Sequence, residues 1–172
     1  MGMSILITGG ARSGKSRLAE GWATRDGAAI YIATCRARNS EMTDRIAEHR
    51  ARRGPEWKTL EEPLDLVGAL DGTDGQGARL VDCLTLWLAN LMEDERDWQG
   101  SVEDLVRTLR RQTSPVILVT GEVGSGIVPA SPLARDYRDA LGLVNQSIAD
   151  AADEVYLAVA GYPLKVKPNA FG

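Results

Sequence analysis

Two clusters of residues in this chain have the types and spacing to do chemistry. The first is ITGGARSGKS (residues 7–16), which fits G-x-x-x-x-G-K-[ST] with Gly9, Gly14, Lys15 and Ser16 in the fixed positions. Average residue frequencies bring those four together about once in 25,000 windows, so chance accounts for the match only roughly 1% of the time in a chain this long. Between the fixed positions, Gly10, Ala11, Arg12 and Ser13 offer backbone N–H groups that, with those of the next residues, surround a phosphate at a helix N-terminus. Lys15 then neutralises β- and γ-phosphate oxygens, and Ser16 is placed to ligate Mg²⁺. The second cluster is EMTDRIAEHRARRGPEW (residues 41–57), where His49, the only histidine in the chain, stands among Arg45, Arg50, Arg52 and Arg53. Such a run is either a solvated helix face or a nucleophile beside anion-binding guanidiniums, and spacing alone leaves both open.

A phosphate loop works between a strand and a helix, and the flanking sequence supplies both. Residues 4–8 (SILIT) are a short apolar run ending in glycines, as in a buried parallel strand, and residues 15–24 read as a helix. Residues 29–34 (AIYIAT) read as a second strand. Residues 40–53 read as a helix that stops at Gly54-Pro55. A short strand is expected over 57–60, a short helix over 64–70, and a turn or loop over 71–77 (DGTDGQG). Residues 78–84 (ARLVDCL) lead into a helix through 86–92. The next helix is expected over 102–111, with Ser101 and Asp104 spaced as a capping box. Residues 116–120 (VILVT) form another buried strand and enter a loop with three glycines and two prolines. Leu133, Tyr137, Leu141, Val144 and Ile148 mark one face of a long helix, and residues 154–160 (EVYLAVA) close the core as a strand. Strands alternating with helices imply one domain built on a largely parallel sheet with both faces covered.

This order of elements puts acids where a nucleotide site needs them. Asp82 follows Leu80-Val81 at the carboxyl end of a strand, where open α/β sheets bind ligands, and is the candidate for the Mg²⁺ shell alongside Ser16. Glu122 ends another strand and could orient an attacking hydroxyl or a metal-bound water; a structural role is the competing reading. Lys165 and Lys167 are candidates for nucleotide contact or for plain solvated lysines.

Composition bounds the rest. The chain has 172 residues with 44% hydrophobic and 26% charged residues, enough for one domain with a real core. A net charge of −4 with a pI near 5.1 argues against a general nucleic-acid binder. No apolar run approaches the roughly 18 residues of a membrane helix, and the segment around residues 5–7 is too short for a signal peptide. Cys35 and Cys83 have no metal-ligand spacing, so buried, reduced thiols and a cytoplasmic location are expected.

Taken in order, GGARSGKSRLAE, YIAT, RIAEHRARR, WKTLEEPLDL, VDCLTLWLANL, GEVGSGIVP, ARDYRDALGLVNQSIADAADEVYLAVAG and PLKVK resemble the bifunctional adenosylcobinamide kinase/adenosylcobinamide-phosphate guanylyltransferase family. The likeness runs from about residue 4 to residue 167, and eight blocks in order are far more specific than the phosphate loop. It implies an α/β fold of the P-loop NTPase (RecA-like) kind, with a mostly parallel sheet flanked by helices. It also implies two reactions of cobalamin assembly: ATP or GTP phosphorylates the aminopropanol hydroxyl of adenosylcobinamide, then GTP donates GMP to that phosphate through a guanylylated histidine. His49 matches that histidine. Thr34, Cys35 and Arg36, with Arg50, Ala51, Arg52 and Arg53, fall on the family's guanine-nucleotide segments, and Glu61 and Asp82 on its two acidic nucleotide-site positions. A homotrimer is implied as well. At Gly121 this chain departs from a pattern that places Asn before the acid matching Glu122. Two rival readings are another small-molecule kinase without guanylyltransferase activity and a slow nucleotide switch.

Overall fold

The computed structural model describes residues 2–36 and 53–168. Strand β1 (Ser4–Thr8) runs through the glycine-rich turn into helix α1 (Lys15–Ala23), and β2 (Ala29–Ala33) follows. After residue 53 come β3 (Trp57–Glu61), α2 (Leu66–Thr73), β4 (Ala78–Asp82), α3 (Leu84–Glu93) and α4 (Trp98–Leu109). The chain then forms β5 (Val116–Val119), α5 (Pro132–Ala151), β6 (Glu154–Val159) and β7 (Tyr162–Lys167).

The strands make one seven-stranded sheet in the order β3-β2-β4-β5-β1-β6-β7, parallel except for β7. All four residues of β5 are buried, as are Leu80 and Val81 of β4 and Leu6 and Ile7 of β1. A strand covered on both faces has no solvent side, which is why these segments read as continuous apolar runs instead of alternating ones. The larger core packs α2, α3, α4 and α5 on one face through Leu70, Leu88, Leu105 and Val144. On the other face, Ala19 and Ala23 let α1 lie close over Ile7, Leu80, Ile117 and Val119. Each fully buried leucine contributes about 1.5–3 kcal/mol relative to exposure.

Several boundaries differ from those expected. The segment expected as a loop over 71–77 starts as helix, because Asp65 caps α2 at the Gly68 N–H (2.8 Å) and the Thr73 hydroxyl donates back to the Ala69 carbonyl (2.7 Å). Helix α4 begins earlier than the Ser101–Asp104 box proposed. Its cap is Asp97, which accepts from the Gly100 N–H at 3.0 Å, while Ser101 lies inside the helix with its hydroxyl on the Asp97 carbonyl. Leu133 is exposed rather than part of the α5 core face, which starts at the half-buried Tyr137. The PLKVK tail is the antiparallel edge strand β7. The helix expected over 40–53 lies outside the described residues except for Arg53. Among the described residues, no helix is long and apolar enough to cross a membrane.

A candidate nucleotide site at the strand ends

The phosphate loop occupies the turn between β1 and α1, as its sequence required. Gly9 has φ 152° and Gly14 φ 95°, both closed to ordinary side chains. Space is short as well: a Cβ on Gly9 would meet the Ala158 carbonyl at 2.7 Å, and one on Gly14 would meet Gly161 Cα at 2.9 Å. The loop is tied to the far hairpin by the Gly161 N–H, which donates to the Ser13 carbonyl at 2.8 Å. It is tied to the segment after β5 by the Glu122 N–H on the Gly9 carbonyl at 3.0 Å. Gly10, Ala11 and Arg12 stand exposed at its tip, with Arg12 at φ 55°. Lys15 folds over the loop and donates to the Gly10 carbonyl at 2.7 Å. Its pKa is lowered, chiefly by burial, although the charges of Cys83 and Asp82 oppose the shift. Lys15 and Asp82 therefore share one electrostatic neighbourhood.

Asp82 ends β4, and one of its carboxylate oxygens accepts from the Tyr31 hydroxyl at 2.5 Å. Burial, followed by the Asp82 charge, pushes the Tyr31 phenol far above its ordinary range, so it is a fixed donor. The Arg53 guanidinium lies 3.6 Å above the Tyr31 ring, and Trp57 meets that ring edge-on at 5.9 Å.

Thr34 joins the two strand ends: its hydroxyl donates to the Cys83 carbonyl and accepts from the Cys83 N–H, each at 2.8 Å. Its carbonyl takes a 2.8 Å bond from the buried Asn90 side chain, which also reaches the Pro63 carbonyl at 3.0 Å. Cys35 and Cys83 form no disulfide, in keeping with the reduced thiols expected, but both are partly buried rather than buried. Loss of solvation, reinforced by the Asp82 charge, pushes the Cys83 thiol up to about 11, so it is protonated at neutral pH and no nucleophile.

The other candidates sort by position. Ser16 opens α1 beside Lys15, and Glu61 ends β3 at the same edge of the sheet as Asp82. Arg36 makes a two-pronged ion pair with Asp94 at 2.8 and 2.6 Å. Glu122 turns its carboxylate onto its own loop, accepting from the Gly124 N–H at 2.6 Å; bonds to Ser125 and then Gly124 hold its pKa below the usual range. That geometry favours the structural reading of Glu122. Lys165 and Lys167 are not nucleotide ligands in this arrangement. Lys165 pairs with Glu154 at 2.5 Å, and Lys167 donates to the carbonyls of Ala149, Asp150 and Ala152 at the end of α5, both at the opposite edge of the sheet. His49, Arg50, Ala51 and Arg52 lie outside the described residues.

The donor set fits Mg²⁺ as a nucleotide-borne ion. Among the described residues no group of three His, Cys, Asp or Glu side chains could hold a metal by itself, whereas Ser16 and Asp82 offer the few hard oxygens that Mg²⁺ adds to phosphates and water. Tyr31 and Asn90 went unnoticed as site residues in the sequence. The sequence shows only that Tyr31 and Ala33 share a strand face; that Ala33 is registered opposite Asp82 is seen in the fold alone.

The sequence profile of the cobinamide kinase / cobinamide phosphate guanyltransferase family matches residues 5–166. The bifunctional adenosylcobalamin biosynthesis protein CobP of Pseudomonas aeruginosa is 48% identical over 169 residues, covering 96% of this chain and 98% of the relative. The bifunctional adenosylcobalamin biosynthesis protein CobU of Escherichia coli K12 is 41% identical over 182 residues, covering 96% of this chain and all of the relative. Among solved structures, the RadB recombinase superposes with a TM-score of 0.52 at 17% identity, over 90% of this chain and 73% of that one. The flagellar accessory protein FlaH from Methanocaldococcus jannaschii gives 0.53 at 14% identity, over 94% and 74%. At these identities the structural likeness speaks for the fold alone, a RecA-like P-loop domain.

Proposed function

Because the chain belongs to the cobinamide kinase / cobinamide phosphate guanyltransferase family, we propose that it phosphorylates adenosylcobinamide and then converts the phosphate to adenosylcobinamide-GDP. The observation that carries this reading is Lys15 folded over the phosphate-binding turn, with Asp82 at the carboxyl end of β4 in register with Val119 and so with Ile7 just before that turn, in a chain that shares nearly its full length with relatives named bifunctional. A kinase without the second activity is not favoured, since the family's description names both activities and those relatives are called bifunctional.

In the kinase step the aminopropanol hydroxyl attacks the γ-phosphorus of ATP or GTP. The bond to the β–γ bridging oxygen breaks, the nucleoside diphosphate leaves, and the hydroxyl proton passes to solvent. Lys15 and the loop N–H groups hold the β- and γ-oxygens in line and neutralise their charge. Ser16 and Asp82 would hold Mg²⁺ carried with the nucleotide, which would add charge neutralisation at those oxygens.

In the second step an imidazole nitrogen of His49 attacks the α-phosphorus of GTP and expels pyrophosphate. The adenosylcobinamide phosphate oxygen then attacks the same phosphorus, and the P–N bond breaks. An imidazole is largely neutral at pH 7 and so available as a nucleophile. Arg50, Arg52 and Arg53 would neutralise phosphate and the departing pyrophosphate, with Thr34, Cys35, Arg36, Ala51 and Glu61 completing the guanine-nucleotide contacts. We assign the enzyme to the cytoplasm, where its nucleotides are found, and to a homotrimeric assembly, as the family resemblance implies.

Mass spectrometry tests the proposal. The protein incubated with GTP alone should gain one GMP, and with adenosylcobinamide added it should release adenosylcobinamide-GDP. Phosphorylated corrinoid without a GMP-bearing protein would reduce the reading to a kinase.

A further inference from the structure

Tyr31 sits in the middle of β2, 5% exposed, on the sheet face covered by α1. In the parallel register Tyr31 is opposite Leu80 and Ala33 is opposite Asp82. Tyr31 and Asp82 are therefore diagonal neighbours on one face, within reach of a long side chain. The reach is used: the phenol donates to the Asp82 carboxylate at 2.5 Å. The ring that carries this hydroxyl is held on two sides, by Trp57 edge-on and by Arg53 at 3.6 Å above its face. Among the described residues the Arg53 Nε and Nη1 atoms are buried without a hydrogen-bond partner, and the guanidinium is packed on the ring. A buried phenol needs some partner, but an apolar strand position next to a site acid could have been filled by Phe or Ile at no such requirement.

We propose that Tyr31 is a positioning residue: its hydroxyl fixes the orientation of the Asp82 carboxylate toward the metal–nucleotide, and Arg53 and Trp57 fix Tyr31. The inference rests on the assignment of Asp82 as the acid facing Mg²⁺. Outer partners of this kind usually change metal affinity or activity 10–100-fold, because the ligand must otherwise be ordered each time the ion binds.

Tyr31→Phe isolates the hydroxyl, keeping the ring and with it the contacts of Arg53 and Trp57. Mn²⁺ binding is measured by electron paramagnetic resonance in the presence of a non-hydrolysable GTP analogue, on wild type, Tyr31→Phe and Asp82→Asn. The expected result is about a 10-fold weaker Mn²⁺ affinity in Tyr31→Phe, with a similar rise in the Mg²⁺ concentration that half-saturates the kinase. The rate should recover toward wild type at high Mg²⁺, which a general packing lesion would not allow. Wild-type Mn²⁺ affinity in Tyr31→Phe, with Asp82→Asn impaired, overturns the role of Tyr31 and leaves Asp82 in place. Undiminished binding in Asp82→Asn removes the acid itself from the site, and the role of Tyr31 falls with it.

Discussion

Arg79 and Asp74 form an ion pair at 3.0 Å in which the arginine side chain is fully buried at the start of β4. Arg79 also donates to Gln112 and to the Gly77 carbonyl, so its charge is met from several sides. Burial works against the Asp74 charge, yet the N–H groups of Ser114 and Thr113, the Thr113 hydroxyl and Arg79 outweigh it and hold the carboxyl well below the usual carboxylate range. The pair stands at the edge of the sheet opposite the phosphate loop, so its role is stability.

Asp74→Ala should destabilise the fold by about 3 kcal/mol, since it leaves a buried guanidinium uncompensated. The pH dependence has a definite sign. A carboxyl with a depressed native pKa contributes in full above its unfolded value near 4, and the contribution fades as pH falls below that toward the native value. Urea denaturation from pH 7 down to 3 should show the wild type converging on the variant at the acid end. A variant that matches wild type at pH 7 would show that the pair contributes nothing.

Asn90 is the second buried polar anchor, and it bears on the site. Its amide bridges the Thr34 and Pro63 carbonyls, and Thr34 in turn bonds both backbone groups of Cys83 next to Asp82. Asn90→Ala strips the buried Thr34 carbonyl and the partly buried Pro63 carbonyl of a donor and should cost about 2 kcal/mol, or roughly 4–8 °C in melting temperature for a domain of this size. Nucleotide affinity should fall as well, because the end of β2 loses its tie to α3. Calorimetry and a nucleotide titration check the two effects separately.

The sequence made the phosphate loop, Asp82 and the alternating order of elements readable because each rests on local rules: glycine conformations, an apolar strand run, a strand-end acid. Gly9 and Gly14 do adopt the positive φ the motif requires. Helix starts were harder. Asp65 and Asp97 each cap a helix by bonding an N–H three residues on, and an aspartate in a polar stretch looks the same whether or not it does so. The Tyr31–Asp82 bond joins residues 51 apart and depends on strand order, with β2 beside β4, which no local pattern encodes. Lys167 reads in the sequence as a nucleotide contact or a plain solvated lysine, because only topology places it at the end of α5, where three carbonyls without helical partners take its charge. His49 stands on the sequence and on the family resemblance, with no contact in the described structure to add.

Lys15 can be tested without disturbing the fold, since its one described hydrogen bond is to the exposed Gly10 carbonyl. Lys15→Ala should lower phosphorylation of adenosylcobinamide by about 10²–10³-fold, the usual loss when a preorganised charge is removed from a developing one. The thermal melt should stay close to wild type. Near-normal turnover would take the loop lysine out of the chemistry.

His49→Asn should separate the two half-reactions. Transfer of a γ-phosphoryl group to a hydroxyl needs alignment and charge neutralisation, the roles proposed for the loop, Lys15 and Asp82, and no imidazole nucleophile. The variant should therefore still make adenosylcobinamide phosphate. Guanylyl transfer needs the covalent carrier, so adenosylcobinamide-GDP should be lost together with the GMP-bearing protein formed from GTP alone. The wild-type adduct should be labile in acid and stable in base, as a P–N bond is. Wild-type GMP labelling in the variant would move the nucleophile to another side chain. Loss of both activities in a folded variant would instead make His49 a nucleotide contact in each step, and the two reactions would then draw on one shared pocket rather than on separable parts.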